Sequence, residues 1–331
     1  MSKNILVTGS SGHLGEALVR TLRKMDWEVI SVDILPSVFT SKVGSIANRD
    51  FVKDAMKGVD AVIHSATLHK PHVATHTKQD FIDTNVTGTL NLLEEAVENG
   101  VKSFVFTSTT STFGDALMPP KDSPAAWITE DVTPIPKNIY GVTKTAAEDL
   151  CRLFSRNHKL PCVILRTSRF FLEDDDQKDV RDSYSSDNQK VNEFLFRRAD
   201  IEDIVSAHLL AVEKAENIGF GRYIISATTP FIQSNREKLN IDAPFVVKEN
   251  FPHYEEIYAE LGWKMFPKIG RVYVNEKARK ELGWSPKYDF GYVLDCLKNS
   301  KDFLSPLARE VGSKKYHAED FEGEPYPILK L

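Results

Sequence analysis

The sequence is poor in cysteine, with three in 331 residues. Cys151, Cys162 and Cys296 are far apart, and their spacing matches neither a zinc motif nor a disulfide framework. Proteins without disulfides or cysteine-bound metal sites are typical of a reducing compartment. We therefore expect a cytoplasmic protein.

Long apolar runs and an excess of positive charge are also absent. No apolar stretch approaches the length of a membrane span, and the first strand is predicted directly after residues 1–4, which leaves no room for a signal sequence. The 42 basic and 47 acidic residues give a net charge of -5, without a basic cluster for nucleic acid or a membrane surface. These absences favour a small molecule as the partner.

Glycines at intervals of three mark the most informative segment, residues 5–15. A short apolar strand runs into a glycine-rich turn and then into an amphipathic helix. Gly9 suits the tight turn, Gly12 lets the backbone approach a pyrophosphate, and Gly15 lets the helix pack on the strand. The helix N-terminus offers free N–H groups to the phosphates. The predicted contacts of this dinucleotide site are Gly9, Ser11, Gly12, His13, Leu14 and Gly15.

An acidic residue at the end of the next strand distinguishes between the two nicotinamide dinucleotides. Residues 28–32 form that strand, and Asp33 follows it. A carboxylate there can accept both hydroxyls of the adenosine ribose and would repel a 2′-phosphate. We therefore expect NAD rather than NADP, against the alternative that the glycines serve packing alone.

Strands and helices alternate along the first two thirds of the chain. Buried strands are predicted at residues 60–64, 103–107 and 162–166, and helices at residues 77–99 and from residue 140 onward. This rhythm predicts an α/β fold, namely a Rossmann-type doubly wound parallel sheet with a smaller C-terminal substrate lobe.

The domain division follows from where the alternation stops. We assign residues 1–168, with a returning segment at about 196–228, to an NAD-binding Rossmann domain. Residues 169–195 and 229–331 are assigned to the substrate-binding lobe and tail. Residues 169–192 are polar and acidic and lack periodicity, so a flexible loop over the site is expected there.

A tyrosine and a lysine one helical turn apart can act in proton transfer. Tyr140 and Lys144 share one face of the predicted helix. The ordinary tyrosine pKa is about 10, but a lysine ammonium and a positively charged nicotinamide would stabilise the phenolate. Tyr140 would then exchange a proton with a substrate hydroxyl, while Thr109, or Ser108 beside it, hydrogen-bonds the same oxygen.

In sequence order, these motifs resemble those of the extended short-chain dehydrogenases/reductases of the NAD-dependent epimerase/dehydratase family. The resemblance covers residue 3 to about residue 300. The matching segments are Thr8-Gly9-x-x-Gly12-x-x-Gly15, Asp33, His64-Ser65-Ala66, Asn85-x-x-Gly88-Thr89, Ser108-Thr109, Phe113-Gly114, Tyr140-Gly141-x-x-Lys144, Arg166 and Leu282-Gly283-Trp284-x-Pro286.

The resemblance implies a catalytic trio of Thr109, Tyr140 and Lys144, with Asn85 supporting the active-site backbone. Ser108 is a further catalytic candidate, and Lys144 would also hold the nicotinamide ribose. We also expect a homodimer. Beyond the glycine-rich loop, the predicted NAD contacts are Asp33, Ser65, Ala66, Thr67, His69, Asn85, Thr107, Tyr140, Lys144 and Arg166.

Two departures from the family pattern bear on the substrate. Dehydratases carry Asp-Glu directly after the catalytic threonine, where this chain has Thr110 and Ser111, so dehydration is disfavoured. The arginines with which nucleotide-sugar epimerases grip a diphosphate are out of register, with Phe196 at the first position. This departure favours a smaller, non-nucleotide sugar. The predicted substrate contacts are Thr109, Thr110, His69, Lys70, Arg169, Arg197, Arg198 and Arg271.

Four histidines between residues 64 and 76 invite a metal interpretation, namely His64, His69, His72 and His76. Pro71 interrupts their helical spacing, and a zinc site would also need partners that orient each histidine. We predict no metal site.

The sequence thus predicts an NAD-dependent enzyme that oxidises a secondary hydroxyl of a sugar or sugar derivative, as an epimerase or as a net dehydrogenase. A UDP-sugar 4-epimerase with tightly bound NAD is the first alternative. A non-catalytic NAD-binding regulatory protein is the second, and the presence of both Tyr140 and Lys144 disfavours it.

Overall fold

A parallel seven-stranded sheet is the centre of the fold in the computed structural model, which describes residues 3–25, 27–120 and 123–314. The strands in these ranges are β1 (Lys3–Thr8), β2 (Trp27–Asp33), β3 (Lys42–Val43), β4 (Ala61–His64), β5 (Ser103–Thr109), β6 (Ala126–Ile128), β7 (Cys162–Thr167), β8 (Phe220–Ile225) and β9 (Arg271–Tyr273). The sheet has the order β3-β2-β1-β4-β5-β7-β8, while β6 and β9 pair separately. The predicted doubly wound parallel sheet is confirmed.

Helices connect the parallel strands and build the C-terminal part of the chain. Over the described ranges they are α1 (His13–Leu22), α2 (Arg49–Ala55), α3 (Lys78–Phe81), α4 (Gly88–Glu98), α5 (Ile139–His158), α6 (Lys178–Ser183), α7 (Ser186–Glu193), α8 (Ile201–Ile218), α9 (Arg236–Leu239), α10 (Ala243–Asn250), α11 (Tyr254–Leu261), α12 (Glu276–Leu282), α13 (Phe290–Lys298) and α14 (Pro306–Val311). None of these is both long and apolar enough to cross a membrane.

The sheet is buried on both faces. Along β1, Ile5 and Val7 belong to one hydrophobic cluster and Leu6 to another, because successive side chains of a strand point to opposite faces. Helices α1 and α8 contribute to the first cluster, and α2, α4 and α5 to the second. The first cluster also includes side chains from α10, α11 and α13, so the C-terminal elements pack on that face of the sheet.

The helix predicted over residues 77–99 contains a local change of pitch. Thr77 caps its start, where the hydroxyl accepts a hydrogen bond from the N–H of Asp80 at 3.2 Å. A π-helical segment, Ile82–Thr87, then joins α3 to α4. Such wide turns are frequent at functional sites, and this one carries the buried Asn85.

Residues 169–192 differ in part from the flexible loop that was expected. They include α6 and most of α7, and the side chains of Asp175 and Asp176 in the acidic run are buried. Residues 169–177 form no helix, and most of them line the cavity beside Tyr140, as expected of a loop over the site. The expectation of a loop was wrong for residues 178–183 and 186–192, because hydrophobic periodicity does not report a segment that polar contacts hold in place. Helix α7 is such a segment, since it buries Gln189 and Glu193.

Candidate functional site

The glycine-rich loop leaves no room for a side chain at two of its glycines. Gly9 has a φ of +77°, and a Cβ there would lie 2.8 Å from the Cα of Ala66. A Cβ on Gly15 would lie 1.9 Å from the carbonyl oxygen of Gly9. A Cβ on Gly12 would meet only that same oxygen, at 3.3 Å, so its position is otherwise open. The loop therefore exposes backbone at the N-terminus of α1, which suits a pyrophosphate.

The Asp33 carboxylate is fixed beside this loop. Its Oδ2 accepts a hydrogen bond from Ser11 N, and its Oδ1 accepts one from Leu35 N, each at 2.9 Å. A carboxylate has about four acceptor positions, so both oxygens can still accept ribose hydroxyls. The next two residues, Ile34 and Leu35, are exposed and apolar, and they offer no charge to a 2′-phosphate. The residues present fit NAD.

Ser65 and Ala66 are held at the end of β4 by Thr8. The Thr8 hydroxyl accepts hydrogen bonds from the backbone N–H groups of both residues, at 3.2 and 3.1 Å. It also contacts Nδ1 of the preceding His64 at 2.8 Å, and Nε2 of that ring lies 3.0 Å from Thr89 Oγ1. Burial holds the pKa of His64 well below its usual value, so this histidine is a neutral part of the core.

Asn85 fixes the loop that follows these residues. Its Oδ1 accepts hydrogen bonds from Leu68 N at 2.8 Å and Thr67 Oγ1 at 3.0 Å. Its Nδ2 donates to Leu68 O at 2.9 Å and to Thr143 Oγ1 of α5 at 3.0 Å. All four bonding positions of this amide are thus engaged within the protein, so Asn85 positions the loop against α5.

Thr109, Tyr140 and Lys144 meet at the carboxyl end of β5. The Tyr140 hydroxyl lies beside the side chain of Thr109, and both residues line the same cavity. One turn further along α5, Lys144 Nζ donates to the carbonyl oxygen of Thr107 at 2.6 Å and lies 3.9 Å from the ring centroid of Phe106. The structure therefore brings together the three residues that were predicted as a trio.

Burial controls the protonation of the tyrosine and the lysine. It raises the pKa of Tyr140 to about 12, and the neighbouring Thr109 side chain opposes this only in part. It lowers the pKa of Lys144 to about 7, although the Glu148 carboxylate favours the ammonium form. Thr109 thus lowers the pKa of Tyr140 directly, while the support expected from Lys144 depends on its ammonium form, which burial disfavours.

Ser108 and Arg166, both predicted site residues, lie in the core instead. Ser108 Oγ donates to Glu148 Oε1 at 2.6 Å, and Arg166 donates to both oxygens of the same carboxylate at 2.9 and 2.8 Å. Arg222 Nε lies 2.9 Å from Glu148 Oε2. Ser108, Glu148 and Arg166 are buried. This network engages Ser108 and Arg166, so it is a structural anchor between α5, β5 and β7.

Thr107 is also engaged within the protein. Its carbonyl oxygen accepts the bond from Lys144, and its hydroxyl lies 2.8 Å from Nε2 of His208 on α8. Burial lowers the pKa of His208 to about 4, and its Nδ1 lies 2.8 Å from Ile204 O. Sequence reasoning missed His208, because a single histidine within a helix carries no spacing signal.

A cavity of about 840 Å³ opens beside the contact between Thr109 and Tyr140. Its charged lining combines the cations Lys70, Lys137, Arg169, Arg197, Arg271 and Lys314 with the anions Glu173, Asp174, Asp175 and Asp176. Seven of the eight predicted substrate contacts line it, namely Thr109, Thr110, His69, Lys70, Arg169, Arg197 and Arg271. Arg198 is the exception.

Carboxylates of the chain itself neutralise several of these cations. Arg169 Nη1 donates to Asp175 Oδ2 at 2.7 Å, and Lys70 pairs with Asp176. Arg197 pairs with Glu193 and lies 3.4 Å from Asp175 Oδ2. Acidic residues of the segment 173–176 thus fold against the predicted substrate cations.

Arg198 is part of the core rather than of the cavity. It is 2% exposed, its Nε donates to Glu193 Oε2 at 2.9 Å, and its Nη1 donates to Phe171 O at 2.8 Å. Burial lowers the pKa of Arg198 to about 10, against the attraction of Glu193. Sequence reasoning missed Glu193. Its position four and five residues before two arginines was the available signal.

Glu173 links the cavity to the glycine-rich loop. Its Oε1 lies 2.8 Å from Nε2 of His13, at the start of α1, and accepts a hydrogen bond from Lys314 N at 2.6 Å. The neighbouring Phe171 ring packs edge-on against His13, with centroids 5.2 Å apart. His13 is therefore shared between the predicted phosphate site and the segment that covers the cavity.

A family model matches two thirds of the chain, including nearly all of the seven-stranded sheet. The NAD dependent epimerase/dehydratase family matches residues 5–225, from β1 to the end of β8. The chain belongs to this family. As a member, it is an NAD-dependent enzyme of the extended short-chain dehydrogenase/reductase type, so the resemblance identified from the motifs is confirmed. The match ends before β9 and the C-terminal helices.

The chain is similar to several known proteins over half or more of its length. An uncharacterized protein of Sinorhizobium fredii is 32% identical over 170 residues, which span 50% of this chain and 40% of that protein. UDP-glucose 4-epimerase 2 of Oryza sativa subsp. japonica is 25% identical over 371 residues, across 90% of this chain and 86% of that enzyme. A short-chain dehydrogenase/reductase superfamily protein from Agrobacterium tumefaciens, solved with bound NAD, has a TM-score of 0.64 at 24% identity, covering 93% of this chain and 99% of that one.

Proposed function

We propose that this NAD-dependent family member oxidises a secondary hydroxyl of a sugar or sugar derivative, either transiently during epimerisation or as a net dehydrogenase. The observation that carries the proposal is the contact between Thr109 and Tyr140 at the wall of the cavity, with Lys144 one turn behind. Bound NAD supplies the hydride acceptor, a role that no side chain can fill.

The roles of the three residues follow from their chemistry. Thr109 and Tyr140 hold one substrate oxygen between them, and Tyr140 takes its proton as the carbon is oxidised. Because burial raises the pKa of Tyr140 to about 12, its phenolate needs positive charge nearby. Lys144 is the cation one turn away, and with a pKa of about 7 it is partly protonated at neutral pH.

The substrate in this proposal carries no nucleotide diphosphate. Arg169, Arg197 and Lys70 are paired with carboxylates of the chain itself, and Arg198 is buried outside the cavity. A diphosphate would need several free cations, because each phosphate is usually held by charge-assisted hydrogen bonds. The paired arginines therefore favour a smaller sugar.

A UDP-sugar 4-epimerase with tightly bound NAD is the second candidate. It is favoured by the similarity to the rice UDP-glucose 4-epimerase, which extends over 86% of that enzyme. The two candidates share every catalytic residue and differ in the substrate and in whether NADH is released. A regulatory protein without turnover is a weaker alternative, since Thr109, Tyr140 and Lys144 are all present and assembled.

The experiment is a screen of free sugars, uronates and UDP-sugars with NAD, in which NADH absorbance and product stereochemistry are both followed. Steady NADH formation from a free sugar or sugar acid supports a dehydrogenase. An inverted carbon without net NADH supports an epimerase. Turnover restricted to UDP-sugars would select the second candidate instead.

The cellular location, the oligomeric state and the domain division of the protein are further parts of the proposal. A cytoplasmic location and a homodimer were both expected from the sequence, and they stay predictions. The division into residues 1–168 with 196–228 and residues 169–195 with 229–331 stays a prediction as well, although part of the tail lies outside the described residues. Size measurement in solution tests the dimer.

A further inference from the structure

Arg271 is the first residue of β9, and the backbone around it is fixed. Strand β9 pairs in parallel with β6, with Arg271 opposite Ala126. The N–H of Ala126 donates to the carbonyl oxygen of Gly270 at 2.8 Å. This pairing places a half-buried arginine in the wall of the cavity that Thr109 and Tyr140 also line.

Carboxylates of the chain balance the charges of other arginines in this cavity, but not the charge of Arg271. Arg169 is paired with Asp175 and Arg197 with Glu193. Throughout residues 3–25, 27–120 and 123–314, no carboxylate is within ion-pair distance of the Arg271 guanidinium, and its buried Nε has no hydrogen-bond partner. Arg271 therefore lines the cavity without a carboxylate partner, so an anion bound there can pair with its guanidinium.

We propose that Arg271 binds a carboxylate of the substrate, which makes the substrate a sugar acid. This inference rests on the proposed function and narrows its substrate class. A planar guanidinium can donate two parallel hydrogen bonds to a carboxylate. Residues 173–176 add four acidic side chains to the same cavity, and these repel a bound anion. The cavity therefore tolerates a carboxylate, with one negative charge, beside Arg271 better than a phosphate group with two or more.

The test compares paired substrates that differ in one carboxylate. NAD reduction by the purified enzyme is measured with D-glucuronate and D-galacturonate against D-glucose and D-galactose. Glucose 6-phosphate and UDP-glucose form separate arms, because phosphate is the other anion that an arginine can hold. The acids should have the highest kcat/KM.

Substitutions then test whether Arg271 is responsible. Arg271→Gln should raise KM for the acids roughly 10- to 100-fold with a much smaller change in kcat, because the lost bonds act in substrate binding. Arg271→Lys should recover part of the affinity. Lys268→Gln removes the same charge three residues away, on an exposed side chain outside the cavity lining, and should leave the kinetics unchanged.

Several results would overturn the inference while leaving the proposed function intact. These are equal turnover of neutral sugars and acids, preference for the phosphate or UDP arm, or an unchanged KM for the acids in Arg271→Gln. If no compound in the panel reduces NAD, the proposed dehydrogenase activity fails instead. Calorimetric titration of glucuronate into the NAD-loaded protein then decides: binding that Arg271→Gln loses supports the inference, and absence of binding overturns it.

Discussion

Arg169 Nη1 lies 2.7 Å from Asp175 Oδ2 in the wall of the substrate cavity. Together with the pair of Lys70 and Asp176, it joins cations predicted for substrate binding to an acidic segment of the same chain. An entering diphosphate would have to separate such pairs. For the more buried pair of Arg169 and Asp175, removing one partner should cost about 3 to 5 kcal/mol, whereas the half-exposed Lys70 loses less, so we expect the cavity to disfavour a highly charged substrate.

Asp176→Asn should make the enzyme sensitive to UDP. The wild-type enzyme should show no competitive inhibition by micromolar UDP. Because the substitution releases Lys70 to bind phosphate, the affinity for UDP should increase about tenfold in the variant, as expected for one charge-assisted hydrogen bond. The inhibition constant for UDP against the best substrate measures this.

The matched control is Asp179→Asn, which removes the same charge from an exposed position on α6 outside the cavity lining. It should leave the response to UDP unchanged. Micromolar competition by UDP in the wild-type enzyme would show instead that the cavity accepts a diphosphate despite its ion pairs.

The parts of the site that depend on local spacing could be predicted from the sequence. The three glycines, Asp33 after β2, and the four-residue interval between Tyr140 and Lys144 each fix a position within one element or one turn. The carboxyl ends of parallel strands then bring these positions to one edge of the sheet.

The partners of charged side chains could not be predicted in this way. Arg166 and Glu148 are 18 residues apart and meet only through the packing of α5 on β7. The sequence shows where the arginines are, but it does not show which of them already bind a carboxylate of the chain. The sequence therefore placed Arg166 and Arg198 in the site, whereas both are buried with glutamates in the core.

Replacement of Asp33 should change the cofactor preference. In the wild-type protein NAD should bind more tightly than NADP, because the carboxylate can accept ribose hydroxyls and would repel a 2′-phosphate. Asp33→Ala with Ile34→Arg should weaken NAD binding about tenfold or more and strengthen NADP binding. Calorimetric titration with both cofactors measures this. Equal or tighter binding of NADP by the wild type would contradict the assignment.

Lys144→Met should stabilise the fold near pH 7 while it removes activity. The folded-state pKa of Lys144 is about 7, below the usual 10.5, because burial disfavours the ammonium form. Between these two pH values the unfolded chain binds a proton that the folded chain does not, so wild-type stability rises with pH across this window. The variant lacks this penalty and should be more stable near pH 7 by on the order of 1 to 3 kcal/mol.

Denaturant unfolding of both proteins at several pH values tests this, because groups common to both cancel in the difference. The advantage of Lys144→Met should shrink as the pH approaches about 10. Lys102→Met, on the exposed surface, controls for the loss of a positive charge. A variant that is less stable than wild type at pH 7, or an advantage that grows with pH, would contradict the prediction.

The turnover of Tyr140→Phe tests the proposed chemistry most directly. The phenylalanine keeps the ring and loses the hydroxyl that contacts Thr109, so proton transfer is lost while the NAD site is unchanged. With the best substrate from the screen, turnover should fall at least about 10²-fold, and calorimetry should give an NAD affinity within about twofold of wild type. Near-normal turnover in this variant, with NAD bound, would contradict the role of Tyr140 and with it the catalytic trio.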